Sequence, residues 1–147
     1  HAARKALTGT DRLEIAIRRA MAARPGAARL TIVENRPYDE YLTLMRSAHL
    51  VVDQAYSYTP ATNALLAMAH GIPVVSGAEP PFYHFLNTVD PPLLTSPLAL
   101  APTTLFTHIL DNPAMLAPLG AASRRFVLRH NAATTVARRF LTFWQRP

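Results

Sequence analysis

The sequence predicts an α/β domain, a parallel sheet with helices on its faces and a helical tail at the carboxyl end. Three observations predict it. Short apolar runs recur at residues 29–33, 49–53 and 72–76. Segments with helical spacing and recognisable starts and stops separate them. Beyond residue 102 only helical patterns follow. Strands that alternate with helices imply right-handed βαβ crossovers, and therefore parallel pairing.

Residues 10–23 read as an amphipathic helix, with Leu13, Ala16, Ile17 and Ala20 on one face and Arg12, Arg18 and Arg19 off it. Thr10 or Asp11 caps it, and Pro25-Gly26 stops it. Residues 29–33 (Arg-Leu-Thr-Ile-Val) form a short strand that ends before Arg36-Pro37, and residues 38–47 are helical. Residues 49–53 (His-Leu-Val-Val-Asp) are mostly apolar, as a strand covered on both faces should be. A polar loop at 54–59 leads to a helix at 60–70. Thr59 is a favoured N-cap, Pro60 takes the first helical position and Gly71 closes the end. Residues 72–76 are the third strand, 77–81 a turn, 82–86 a short helix and 93–95 a weak fourth strand. Helices at 102–111, 114–130 and 132–144 complete the chain.

With 147 residues the chain has the size of one domain, taken as 1–147. Half of its residues are hydrophobic and 16% are charged, which excludes a disordered chain. The lack of cysteine excludes disulfides and thiolate zinc sites. The six histidines include no pair at helical ligand spacing, so no metal is expected. No apolar run approaches the roughly 20 residues that a membrane span needs. The net charge of +6 comes almost wholly from Arg. It fits a solvated surface, an anionic ligand or peripheral contact with an acidic membrane face. The Arg residues are spread over several helices rather than lining one face with aromatics between them, which argues against nucleic acid. There is no Walker loop and no Gly-x-Ser-x-Gly elbow.

Ligands of open parallel sheets bind beyond the carboxyl ends of the strands. That rule selects residues 53–62, 76–81 and 4–10. The helix starting at Pro60 aims unpaired N–H groups and a positive dipole end at this edge, where a phosphate can bind. Ala61, Thr62 and Asn63 supply candidate N–H donors, and Thr59 and Thr62 candidate hydroxyls. Thr59 has the simpler alternative role of capping its helix. Asp53 and Glu79 are candidate carboxylates for sugar hydroxyls, or plain solvated or capping acids. Tyr56 and Tyr58 either stack on a base or sugar or pack on their own domain. Gly77 opens the turn after the third strand at the same edge.

The run Leu66-Ala67-Met68-Ala69-His70-Gly71-Ile72-Pro73-Val74-Val75 resembles the Glu-Ala-Met-Ala-x-Gly-x-Pro-Val-Val signature of retaining, glycogen-synthase-like glycosyltransferases with the GT-B fold. Nine of the ten positions are compatible. Tyr38-Asp39-Glu40-Tyr41, the step at Ser47-Ala48-His49-Leu50, Gly9-Thr10-Asp11 and the closing helices from Arg124 to Trp144 are similar to the family's elements as well. The resemblance implies a Rossmann-like domain, one half of a GT-B fold, with its first strand truncated. It implies a metal-independent enzyme with no cofactor that takes a nucleotide-sugar donor to build polysaccharide or glycolipid in the cytoplasm, at the inner face of the membrane. A missing N-terminal domain would bind the acceptor, so this chain alone is not expected to transfer sugar. Arg4 matches the Arg of the family's diphosphate-binding pair, but the Lys of that pair falls on Thr8. The family's two donor-site glutamates fall on Tyr58 and Leu66, neither of which accepts hydrogen bonds as a carboxylate does. A binding or scaffold domain that has lost the usual donor site is therefore the competing reading. A response-regulator receiver is the third. Leu50-Val51-Val52-Asp53 mimics its phospho-accepting strand end, but Asp11 and Glu14 sit on a helix instead of forming its acidic metal pair.

Overall fold

The structure is a computed structural model that describes residues 9–88, 92–94 and 102–145. Its centre is a parallel pair of short strands, β1 (Val51–Val52) and β2 (Val74–Val75), in the register Val51 to Val74 and Val52 to Val75. Ladder bonds run past the strand ends: Val51 N–H donates to the Pro73 carbonyl at 3.1 Å and Asp53 N–H to the Val75 carbonyl at 2.9 Å. On the far side of β2, Leu94 forms a parallel bridge with Val75. β2 is thus covered on both edges as well as both faces, and Val74 and Val75 are buried. The described chain is mixed α/β, mostly helical, with this small parallel sheet.

The helices are α1 (Thr10–Ala22), α2 (Tyr38–Arg46), α3 (Thr62–Ala69), α4 (Pro80–Phe85), α5 (Pro102–Asp111), α6 (Leu116–His130) and α7 (Ala133–Trp144), with a 3-10 turn at Pro113–Met115 before α6. Successive residues of a strand point to opposite faces, and this divides the core in two. Val52 and Val75 join Leu13, Ala16 and Ala20 of α1 and Phe106 and Ile109 of α5. Val51 and Val74 join Ala64, Ala67 and Met68 of α3 and Phe126 and Val127 of α6. Small residues let α3 lie close. A Cβ added to Gly120 on α6 would collide with the Gly71 carbonyl just after α3. An Arg24–Asp111 ion pair, with Nη2 to Oδ2 at 2.6 Å, ties the end of α1 to the end of α5.

Residues 29–33 do not form the expected strand. Ile32 and Val33 are exposed, and no ladder bond reaches this segment among the described residues. β-branched residues favour a strand only where a neighbouring strand and a packed face await them, and the described residues bring neither to this segment. The helix expected at 60–70 starts later, at Thr62. Pro60 is buried and Ala61 is extended at the N-cap position, with no side-chain cap. Thr59 does not cap it, and its carbonyl instead accepts a hydrogen bond from Ser57 Oγ. The expected strands at 49–53 and 72–76 are present but shorter. Of the expected fourth strand only Leu94 pairs, Thr95 lying outside the described residues. No helix among the described residues is long and apolar enough to cross a membrane.

Candidate functional site

Three segments meet at the carboxyl edge of the sheet. The chain leaving β1 passes through Asp53 and the loop at 54–61 into α3. The chain leaving β2 runs beside it: Gly77 N–H donates to the Gln54 carbonyl at 2.8 Å and Glu79 N–H to the Tyr58 carbonyl at 3.1 Å. Gly77 is what allows this approach. A Cβ there would sit 2.5 Å from the carbonyl oxygens of both Ala55 and Ser57, closer than van der Waals contact permits. The third segment is the start of α1, where Gly9 takes a left-handed φ of 70°. A Cβ on Gly9 would lie 3.0 Å from Ala55 Cβ and from the Tyr56 ring. The regions expected at 53–62, 76–81 and the described end of 4–10 are therefore brought together, while Arg4 lies outside the described residues.

The first helical N–H groups of α3, on Thr62 and Asn63, find no acceptor among the described residues, as a helix start without a side-chain cap requires. Both side chains are exposed, Ala61 is half-buried and Thr59 is exposed. The Tyr58 side chain is 74% exposed. Glu79 is exposed just before α4. The Arg12 guanidinium stands 5.9 Å from the centroid of the Tyr56 ring, which places a cation at the mouth of the loop cluster. Leu66, by contrast, packs against the core around α3 and α6.

Beneath the loops lies a polar pair. Asp53 and Ser76 extend the register by one residue, so they are neighbours on the face that α3 covers. Ser76 is 1% exposed and its Oγ has no hydrogen-bond partner, nor does the buried Asp53 Oδ2. Burial pushes the Asp53 carboxyl above its usual range, against the N–H groups of Gln54 and Ala64, which favour the charged form. Burial likewise raises the Tyr41 hydroxyl, helped by the charge of Asp53 and then by Tyr38. Asp53 thus lies under the first turn of α3 and reaches its Ala64 N–H. Sequence reasoning placed Ser76 at this edge without giving it a role, and it missed Arg12. Ser76 was legible as the one polar residue at an inward position of an apolar run, but Arg12 needed the tertiary approach of α1.

Chemically, the edge combines unpaired N–H donors, a cation, exposed hydroxyl and phenol groups and a carboxyl with a raised pKa. That set suits a polar ligand carrying an anionic group. No protein family, no curated protein and no solved structure matches the chain.

Proposed function

We propose that the chain is the donor-binding half of a retaining GT-B glycosyltransferase, Rossmann-like around the β1–β2 sheet, that holds a nucleotide sugar for polysaccharide or glycolipid synthesis in the cytoplasm. The observation that carries this reading is the convergence of three loops on the carboxyl edge, beside the start of α3, where the Thr62 and Asn63 N–H groups find no acceptor among the described residues. The N–H groups of Thr62 and Asn63 meet the diphosphate, with the Thr62 hydroxyl and the Arg12 guanidinium beside them. Thr59 and Ala61 border that pocket. Tyr58 stacks on the base or sugar, and Glu79 takes a sugar hydroxyl. Gly77 keeps the two loops close enough to form one wall. Asp53 contributes a carboxyl beneath the site, positioned by the N–H groups of Gln54 and Ala64. Electrostatic stabilisation of the leaving diphosphate would be the main catalytic contribution of this half. A second reading, ligand binding without transfer, is favoured by one observation: the two positions of the family's donor-site glutamates carry the exposed Tyr58 and the core-packed Leu66.

Titration calorimetry with uridine, guanosine and adenosine diphosphate sugars tests the proposal. One of them should bind, and Thr62→Glu should weaken it about tenfold by setting a carboxylate beside the diphosphate. If none of the diphosphates binds the folded chain, donor binding at this edge is wrong. Binding of the free diphosphate as tightly as the sugar-linked one favours the second reading.

A further inference from the structure

The net charge of this protein is confined to one part of it. Residues 1–111 carry nine basic and nine acidic side chains, whereas residues 112–147 carry six Arg and no acid. The whole formal charge of +6 therefore sits on α6, α7 and the last residues. The final helix, α7, buries no residue. At about 100° per residue, Ala133, Val136, Ala137, Phe140, Leu141, Phe143 and Trp144 share one face spanning about 160°. Thr134, Thr135, Arg138, Arg139 and Thr142 fill the other. The apolar face is open: Phe140, Leu141, Phe143 and Trp144 are each more than half exposed. A shallow groove lined by Arg138, Arg139, Thr142 and Phe143 follows the border of the two faces.

We propose that α7 docks on an anionic lipid bilayer, lying in the plane of the interface with its aromatic face among the acyl chains. The two layers of a bilayer surface match the two faces of the helix. Arg138 and Arg139 lie to either side of the polar face, from where their long side chains reach lipid phosphates while their stems stay apolar. The acid-free Arg population of α6 adds attraction that acts within about a Debye length of the surface. Nucleic acid fits less well, because stacking platforms interleave aromatics and cations on one face, and here the two sets occupy separate arcs that meet only at the border. The proposal is independent of the donor site at the sheet edge.

Trp144 is the single tryptophan of the chain, so its fluorescence reports this face alone. The full chain is titrated with vesicles of mixed phosphatidylglycerol and phosphatidylcholine and with vesicles of phosphatidylcholine alone. The expected result is a blue shift and co-sedimentation with the anionic vesicles, much weaker with the neutral ones and suppressed by salt. Phe143→Ser should lower partitioning about tenfold, and Arg138→Gln or Arg139→Gln about fivefold each. These side chains are exposed, so circular dichroism should show unchanged folding. An unshifted Trp144 spectrum at saturating anionic lipid overturns the proposal. So does a blue shift that grows with protein concentration in the absence of lipid, which would assign the face to a second copy. A shift produced by short RNA or DNA but not by vesicles overturns it as well.

Discussion

Helix α3 seats Ala64, Ala67 and Met68 fully against the sheet, whereas α7, longer by about one turn, buries nothing. Both are rich in apolar residues, and the difference lies in how those residues are arranged. In α3 apolar residues occupy almost the whole circumference after Thr62 and Asn63, and a helix of that kind is stable only with neighbours on most sides. The sheet and α6 supply them. α7 divides its circumference into an apolar and an arginine-bearing half, the pattern of a helix at a boundary, and among the described residues little covers the apolar half. Apolar content alone does not decide burial. What decides it is whether the same chain brings up a complementary surface.

The strongest way to break this comparison is to truncate one aromatic in each region. Phe126→Ala removes a buried ring from the core around α3 and α6 and should cost about 3–5 kcal/mol in urea unfolding. Phe143→Ala should stay within about 0.5 kcal/mol of the parent. Equal costs would mean that α7 belongs to the folding core. The next effect concerns the loop wall. Gly77→Ala forces a methyl group to 2.5 Å from two carbonyl oxygens and should destabilise by roughly 2 kcal/mol, and a neutral result would separate the loops that the candidate site requires. A smaller effect follows from Asp53. Its carboxyl is raised in the folded state, so its ionisation opposes folding. Asp53→Asn should therefore stabilise the protein at neutral pH, with the gain disappearing as the pH falls into and below the carboxylate range. A constant gain at all pH values would deny the buried charge. The smallest effect is at the α1–α5 clamp. The hydrogen bond from Arg24 holds the Asp111 carboxyl below its usual range. That contribution is present above the ordinary carboxylate pKa and is lost as the pH falls through the lowered one. Asp111→Asn should thus be slightly less stable than the parent at neutral pH and indistinguishable in strong acid, as thermal melts at both pH values will show.

The sequence carried the core strands clearly because Val51, Val52, Val74 and Val75 are covered on both faces, and continuous apolar runs announce that. The edge where the three loops meet was legible for a topological reason, since parallel strands put their loops on one side. Residues 29–33 misled because β propensity is local, whereas strand formation needs a partner strand, and none among the described residues reaches them. Thr59-Pro60 misled in a related way. Its cap signals are genuine local preferences, but the burial of Pro60 and the bond from Ser57 Oγ keep the chain extended through Ala61. Helix α7 was expected at 132–144 from its spacing, yet spacing does not reveal whether an apolar face finds cover. The pairing of Asp53 with Ser76 depends on strand register, which the sequence does not display.

Amide hydrogen exchange, read residue by residue in the full chain with and without a bound nucleoside diphosphate sugar, locates donor binding on the molecule. Slow exchange is expected in β1, β2 and α3 in both states. The donor should add protection confined to residues 54–63 and 76–79, with α7 exchanging as fast as before. Protection that appears in α7 while the sheet edge stays unchanged would contradict donor binding at that edge.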